Sequence, residues 1–302
     1  MGVQVFARTR IRRYPFVLMS QPDFVLSVSC PDRRGIVAEV TRFLFERNCN
    51  ILDSQQFGDR GNDRFFLRVH CLSEGGIGIP WLEKEFASIA QKFAMQAQFF
   101  DSARKTRVLI MVSKFGHGLV DLLYRARIGA IPLEVPLIVS NHRDYEDVAV
   151  AQNIPFVHLP MARDNKPAQE ARLAELMEEY RIDLVVLARY MQILSDDFCR
   201  MRPGKIINIH HSFLPSFKGA NPYTQAHERG VKLIGATAHY VTGDLDEGPI
   251  IEQSVERVTH ALGPEDYISV GRDIESRTLA RAVKWHCEHR ILLNGKKTVI
   301  FS

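Results

Sequence analysis

The chain has 302 residues, 46% of them apolar and 25% charged, the balance of a globular protein long enough for two domains. A largely disordered chain, a collagen-like repeat and a coiled coil are excluded, and no stretch approaches the ~20 uninterrupted apolar residues of a membrane-spanning helix. The formal charge of +4 belongs to the first twenty residues, where Arg8, Arg10, Arg12 and Arg13 stand without an acid; 35 basic and 35 acidic residues share the rest. A folded part without basic excess is not expected to bind nucleic acid.

Residues 1–20 read as an N-terminal extension, with Met19 standing just before the first strand-like segment. They lack the apolar core of a secretory signal, although their Arg-rich, acid-free composition resembles a transit peptide. The five cysteines (Cys30, Cys49, Cys71, Cys199, Cys287) form no CxxC pair. They read as buried hydrophobes in a reducing, cytoplasmic setting.

From residue 21 to 102 the pattern is βαββαβ. Phe24 to Cys30 is a strand of β-formers, and after Asp32-Arg33-Arg34-Gly35 the apolar residues Ile36, Val37, Val40, Phe43 and Leu44 follow a helical period. Strands at Asn50–Phe57 and Arg64–Cys71, a helix near Pro80–Ala94 and a strand at Gln96–Phe100 complete a small α+β unit. Gly75-Gly76-Ile77-Gly78 reads as a turn.

From residue 103 to 302 strands alternate with helices. The continuously apolar runs VLIMV and LVVL are those of central strands covered on both faces. The expected fold is a doubly wound, mostly parallel α/β domain with its ligand site at the carboxyl ends of the strands. A polar helix from Pro264 to about His289 and one last strand, TVIF, close the chain, with His286 and His289 on a solvated face.

The densest polar cluster follows the strand Lys205–His210: Asn208, His210, His211 and Ser212, then Phe213 to Gly219. Alternation along the strand points Asn208 and His210 to one face, where a carboxamide can polarise a carbonyl and an imidazole can move a proton. A second cluster holds His239, Asp244, Asp246 and Glu247 before Gly248-Pro249. Its carboxylates can orient His210 or simply populate a solvated hairpin turn. The first βα turn, Ser113 to Gly118, has Asp121 in place of the third glycine of a dinucleotide fingerprint, so no nucleotide cofactor is expected. His210, His211, His239 and Asp246 are the one set able to hold a metal. Without an HExxH or a cysteine partner, no metal is expected.

At these residues the chain becomes recognisable. NIHHSFLPSFKG and HYVTGDLDEGPII resemble the paired signature of the formyl transferase family that uses formyltetrahydrofolate. The resemblance implies a catalytic set of Asn208, His210 and Asp246. It also implies a folate pocket at LARYMQIL, formed by Met191, Gln192, Ile193 and Leu194 together with Val241, with Gln192 where transformylases often carry Arg. CPDRRGIVAEVTRFL resembles an ACT domain, which implies a homo-oligomer and an amino-acid effector near Asp32, Arg33, Arg34 and Gly35. The bulky Phe115 and His117 in the first βα loop suit a ribose-phosphate cradle poorly. Water is therefore the expected formyl acceptor, giving tetrahydrofolate and formate for purine synthesis. Transfer to an amine such as glycinamide ribonucleotide is the alternative within the family. A metal-dependent amidohydrolase and a non-enzymatic amino-acid sensor are the alternatives outside it. Thr224 stands where relatives that use water tend to have His, so no role is carried over to it.

Overall fold

The computed structural model describes residues 22–162, 164–212, 222–244 and 246–302. The N-terminal extension and the Phe213–Gly219 stretch lie outside them. The first unit runs β1 (Asp23–Pro31), α1 (Ile36–Phe45), β2 (Cys49–Asp59), β3 (Arg64–Ser73), α2 (Ile79–Phe93) and β4 (Gln96–Asp101). Its sheet is antiparallel in the order β2-β3-β1-β4. Alternate residues of β1 (Phe24, Leu26, Val28, Cys30) point to the two helices. There they meet Ile36, Val40, Phe43 and Leu44 of α1 and Leu82, Phe86 and Phe93 of α2. Phe86 stands edge-on to both Phe43 and Phe99, the arrangement that aromatic quadrupoles favour.

The second unit opens with β5 (Thr106–Val112), α3 (His117–Arg127), β6 (Leu133–Ser140), α4 (Glu146–Ala151) and β7 (Phe156–His158). It continues through α5 (Lys166–Glu179), β8 (Leu184–Leu187), α6 (Asp196–Arg200), β9 (Ile206–His210) and α7 (Pro222–Glu228). It ends with β10 (Leu233–Tyr240), β11 (Ile250–Arg257) and α8 (Pro264–Cys287). The seven-stranded sheet has the order β11-β10-β9-β8-β5-β6-β7. The strands from β9 to β7 are parallel, and β10 and β11 are added antiparallel. Two apolar layers, one on each face, explain the unbroken burial of β5 and β8. The chain leaves β5 towards β6 and β7 on one side and returns through β8 to β9 on the other. The carboxyl ends of β5 and β8 thus form the switch point at which such sheets bind ligands. All five cysteines are buried and unpaired. Among the described residues no helix is long and apolar enough to cross a membrane.

The C-terminus departs from expectation. Instead of one strand there is a hairpin, β12 (Ile291–Asn294) and β13 (Lys297–Ile300), which forms its own two-stranded sheet. It packs on the first unit: Leu292, Val299 and Phe301 enclose Phe66, which is fully buried. Arg68, also buried, donates to the main-chain carbonyls of Glu288 and His289 and pairs with Asp53. The hairpin covers the face of β3 turned away from α1 and α2, so this strand is buried on both sides. His286 and His289 are accordingly not a solvated face. His286 Nδ1 lies 2.7 Å from the Tyr240 hydroxyl, and the His289 ring stacks on Phe100 at 3.8 Å. Burial pushes both imidazoles down to about 4. Phe66→Ala, which empties this contact, is expected to cost ~3–5 kcal/mol, read as a lower urea midpoint. An unchanged midpoint would show that the hairpin contributes nothing to stability.

Candidate active site

The site is built on the register between β9 and β10. Antiparallel pairing sets Asn208 opposite His239 and His210 opposite Thr237. The chain then turns through a loop that returns to β11, bringing Asp246 back over β9. Two backbone features make the return possible. Asp246 takes a left-handed conformation (φ 57°), which Asp tolerates better than most residues. Gly248 passes so close to the Tyr240 carbonyl that a Cβ would overlap it.

Asp246 sits between two imidazoles. Its Oδ2 is 3.3 Å from His210 Nδ1 and its Oδ1 is 3.7 Å from His239 Nε2. The hydrogen bond from His210, and then the neighbouring His239, hold its carboxyl well below the usual carboxylate range, although partial burial opposes them. A carboxylate only accepts, so His210 presents Nδ1–H to Asp246. That leaves Nε2 as the basic nitrogen, and this atom is buried without a protein partner. His239 is 2% exposed, and its Nδ1 lies 3.0 Å from the Tyr240 carbonyl. Since a carbonyl cannot donate, the proton sits on Nδ1. His239 Nε2 then accepts from the Asn208 amide at 3.3 Å, a tautomer assigned from the hydrogen-bond pattern. One amide N–H of Asn208 is fixed in this way, and the other remains available to a ligand.

These groups line a cavity of about 230 Å³. Its wall is made of Leu187 at the end of β8, of Met191, Gln192, Ile193 and Leu194 on the segment after it, and of Val241, Thr242 and Asp244 after β10. The five pocket residues expected from sequence are thus gathered with Asn208, His210 and Asp246. Leu194 is buried, whereas Met191 and Ile193 are exposed at the rim. Asp32, Arg33, Arg34 and Gly35 lie elsewhere, on an exposed turn before α1 in the first unit. Thr224 lies on α7. Among the described residues no group of three or more His, Cys, Asp or Glu side chains is arranged to hold a metal.

Several side chains have roles that the sequence did not assign. His239 orients Asn208, a role visible only once β9 and β10 are paired. The His211 ring stacks on that of His210 at 5.2 Å. Burial, then the charges of Arg189 and His210, push His211 down to about 4, so it stays neutral. Behind it Glu275 of α8, 1% exposed, accepts from the Tyr223 hydroxyl at 2.7 Å and lies 2.8 Å from His117 Nε2 and 3.4 Å from Arg189 Nε. Burial works to raise Glu275, but the His117 hydrogen bond, the Arg189 and His117 charges and the Tyr223 hydroxyl outweigh it and hold the carboxyl below its ordinary range. Gly271, one turn earlier on α8, leaves room for the Tyr223 ring that reaches this carboxylate.

Comparison with known proteins agrees with this geometry. Residues 106–283 match the family model described as formyl transferase, and residues 24–78 match the ACT domain. A formyltetrahydrofolate deformylase of Corynebacterium sp. (strain P-1) is 49% identical over 94% of this chain and 99% of its own length. The crystal structure of a formyltetrahydrofolate deformylase from Burkholderia mallei superposes with a TM-score of 0.90, at 49% identity, over 93% of this chain and all of that one. Glycinamide ribonucleotide transformylase 1 from Symbiobacterium toebii shares 32% identity with a TM-score of 0.61, covering 66% of this chain and 95% of its own. That match leaves about a third of this chain unaccounted for, whereas the deformylases match nearly end to end. The chain therefore belongs to the formyltetrahydrofolate deformylase family.

Proposed function

We propose that Asn208, His210 and Asp246 carry out the hydrolysis of 10-formyltetrahydrofolate to tetrahydrofolate and formate. The observation that carries this reading is the His210–Asp246 contact. It leaves an uncommitted basic Nε2 beside Asn208 at the base of the Met191–Leu194 cavity. Water attacks the formyl carbon as Nε2 removes its proton, and the oxygen that becomes negative takes a hydrogen bond from the Asn208 amide. His210 then returns the proton to the departing nitrogen, and the carbon–nitrogen bond breaks. Asp246 stays ionised throughout, so it orients the ring and stabilises the imidazolium without itself taking a proton. Incubation with 10-formyltetrahydrofolate should release formate and tetrahydrofolate in equal amounts. Release of neither would overturn the reading.

Residues 21–102 serve in this proposal as the regulatory unit and residues 103–302 as the catalytic one. The effector is an amino acid whose carboxylate meets the N–H groups at the Gly35 start of α1 and the flanking Arg33 and Arg34. The formate released is available for purine synthesis.

Three outcomes are expected. Asn208→Ala should lower kcat by ~10²–10³, as for loss of an oxyanion donor, and His210→Ala by ~10²–10⁴, both in steady-state formate assays on folded protein. The carboxyl of Asp246 is depressed in the folded state, so its stabilising effect is present above the unfolded value of about 3.9 and lost as pH falls through the folded one. Urea midpoints measured between pH 6 and pH 2 should therefore fall more steeply below about pH 4 in the wild type than in Asp246→Asn. Calorimetry with glycine, methionine and other amino acids should show binding that Arg34→Ala weakens without changing the basal rate; binding unaffected by that change would place the effector elsewhere.

A further inference from the structure

The crevice between the carboxyl ends of β5 and β8 is where a doubly wound sheet ordinarily admits a ligand. Here it is filled by the protein itself. The Ser113 hydroxyl ties its two rims together, donating to Asn141 Oδ1 at 2.6 Å and accepting from the main-chain N–H of Met191 at 3.1 Å. Arg189 crosses the space below. Its side chain is 13% exposed, its Nε lies 3.4 Å from Glu275 Oε2 as an ion pair, and both Nε and Nη1 are buried without a hydrogen-bond partner. Its guanidinium carbon and that of Arg272 approach the Phe115 ring at 5.7 and 5.6 Å. His117 reaches the same Glu275 oxygen from the start of α3.

The backbone of Arg189 adds an independent observation. Its φ is 63°, the left-handed region where glycine is at ease and a long side chain is strained. A strained residue beside a functional site points to a job for its side chain. Arg189 lines the same cavity as Asn208, His210 and His211. The folate-pocket segments Met191–Leu194 and Val241–Asp244 wall one side of the reacting groups. His211 and Arg189 line another, with Tyr223 and Glu275 packed behind them.

We infer that Arg189, anchored by Glu275, is the specificity-determining residue that denies the switch-point crevice to amine acceptors and leaves water as the only nucleophile able to reach the formyl carbon. This rests on the hydrolytic reading of the site. In hydrolysis the water oxygen bonds to the formyl carbon, the carbon–nitrogen bond to the folate breaks and that nitrogen gains a proton, giving formate and tetrahydrofolate. With an amine in the opened crevice, its nitrogen bonds to the same carbon and loses a proton. The same folate bond then breaks with proton uptake, giving an N-formyl amine and tetrahydrofolate. A buried Glu275 relieved of Arg189 also becomes free to accept from the hydroxyl or ammonium groups of such an acceptor.

The test follows labelled formyl groups in the full-length enzyme and its Arg189→Gly and Arg189→Ala variants, with glycinamide or glycinamide ribonucleotide present. The readout is the ratio of N-formyl amide to formate, which does not depend on how much of a variant is active. Glycine relieves the backbone strain and opens the space, and alanine opens the space even if the glycine variant folds poorly. The wild type is expected to give formate alone, and the variants a ratio at least ~10-fold higher. A ratio unchanged in both variants while formate is still released, or amine capture by the wild type itself, would overturn the proposal. Retention of all label on the folate in wild type and variants alike would instead count against the hydrolytic reading on which it rests, and the proposal would fall with it.

Discussion

The charge on Asp246 is the feature around which the site is arranged. A carboxylate between two imidazoles, one 3.3 Å and the other 3.7 Å away, is held ionised over any working pH. Because it can only accept, the protons of His210 are assigned by it: Nδ1 carries one and Nε2 is left basic. The neighbouring His239 is fixed by a different acceptor, the Tyr240 carbonyl, and passes that orientation to Asn208. Two imidazoles side by side thus acquire different tasks from the groups their Nδ1 atoms face. One becomes a base towards the cavity, and the other a strut for a hydrogen-bond donor. Protonating Asp246 would loosen His210 and leave His239 in place.

A second carboxylate, Glu275, plays a quieter part a few residues away. It is almost wholly buried, hydrogen-bonds His117 and Tyr223 and pairs with the charge of Arg189, side chains from three separate segments. A buried charge is tolerable only when so well paired. The pairing locks α3, α7, α8 and the end of β8 into one arrangement behind His211. The rigidity matters because His211 must stay neutral and stacked on His210 rather than compete with it for a proton. Burial and the nearby Arg189 charge keep it so.

The two units are not independent beads. The C-terminal hairpin emerges directly from α8, which carries Glu275, and its Leu292, Val299 and Phe301 clasp Phe66 of the first sheet. Arg68 reads the main-chain carbonyls at the end of α8. A displacement of the first sheet therefore meets α8 at its C-terminal end, while His211, stacked on His210, is backed by Tyr223, which hydrogen-bonds Glu275 of the same helix. The same helix packs against β9 and β10.

Much of this was legible in the residues alone. The βαββαβ order, the alternation of β1 and the unbroken apolar runs of β5 and β8 express local periodicity and burial, which a linear chain records directly. The Asn208, His210 and Asp246 set was legible through motif resemblance, since those side chains lie within or just after strand ends whose alternation is regular. Other features had no linear signal. His239 acquires its role only from the β9–β10 register, which sets it opposite Asn208 across 31 positions of sequence. Arg189, His117, Tyr223 and Glu275 converge from as far as 158 positions apart, and a buried charge cluster looks like ordinary surface polarity until its burial is known. His286 and His289 read as a solvated face because a helical period does not reveal that another domain covers it. What the sequence by itself determined was the set of elements and the chemical groups at their ends. The tertiary structure alone decided which groups meet, because strand register, helix packing and domain docking set the distances on which hydrogen bonds and proton positions depend.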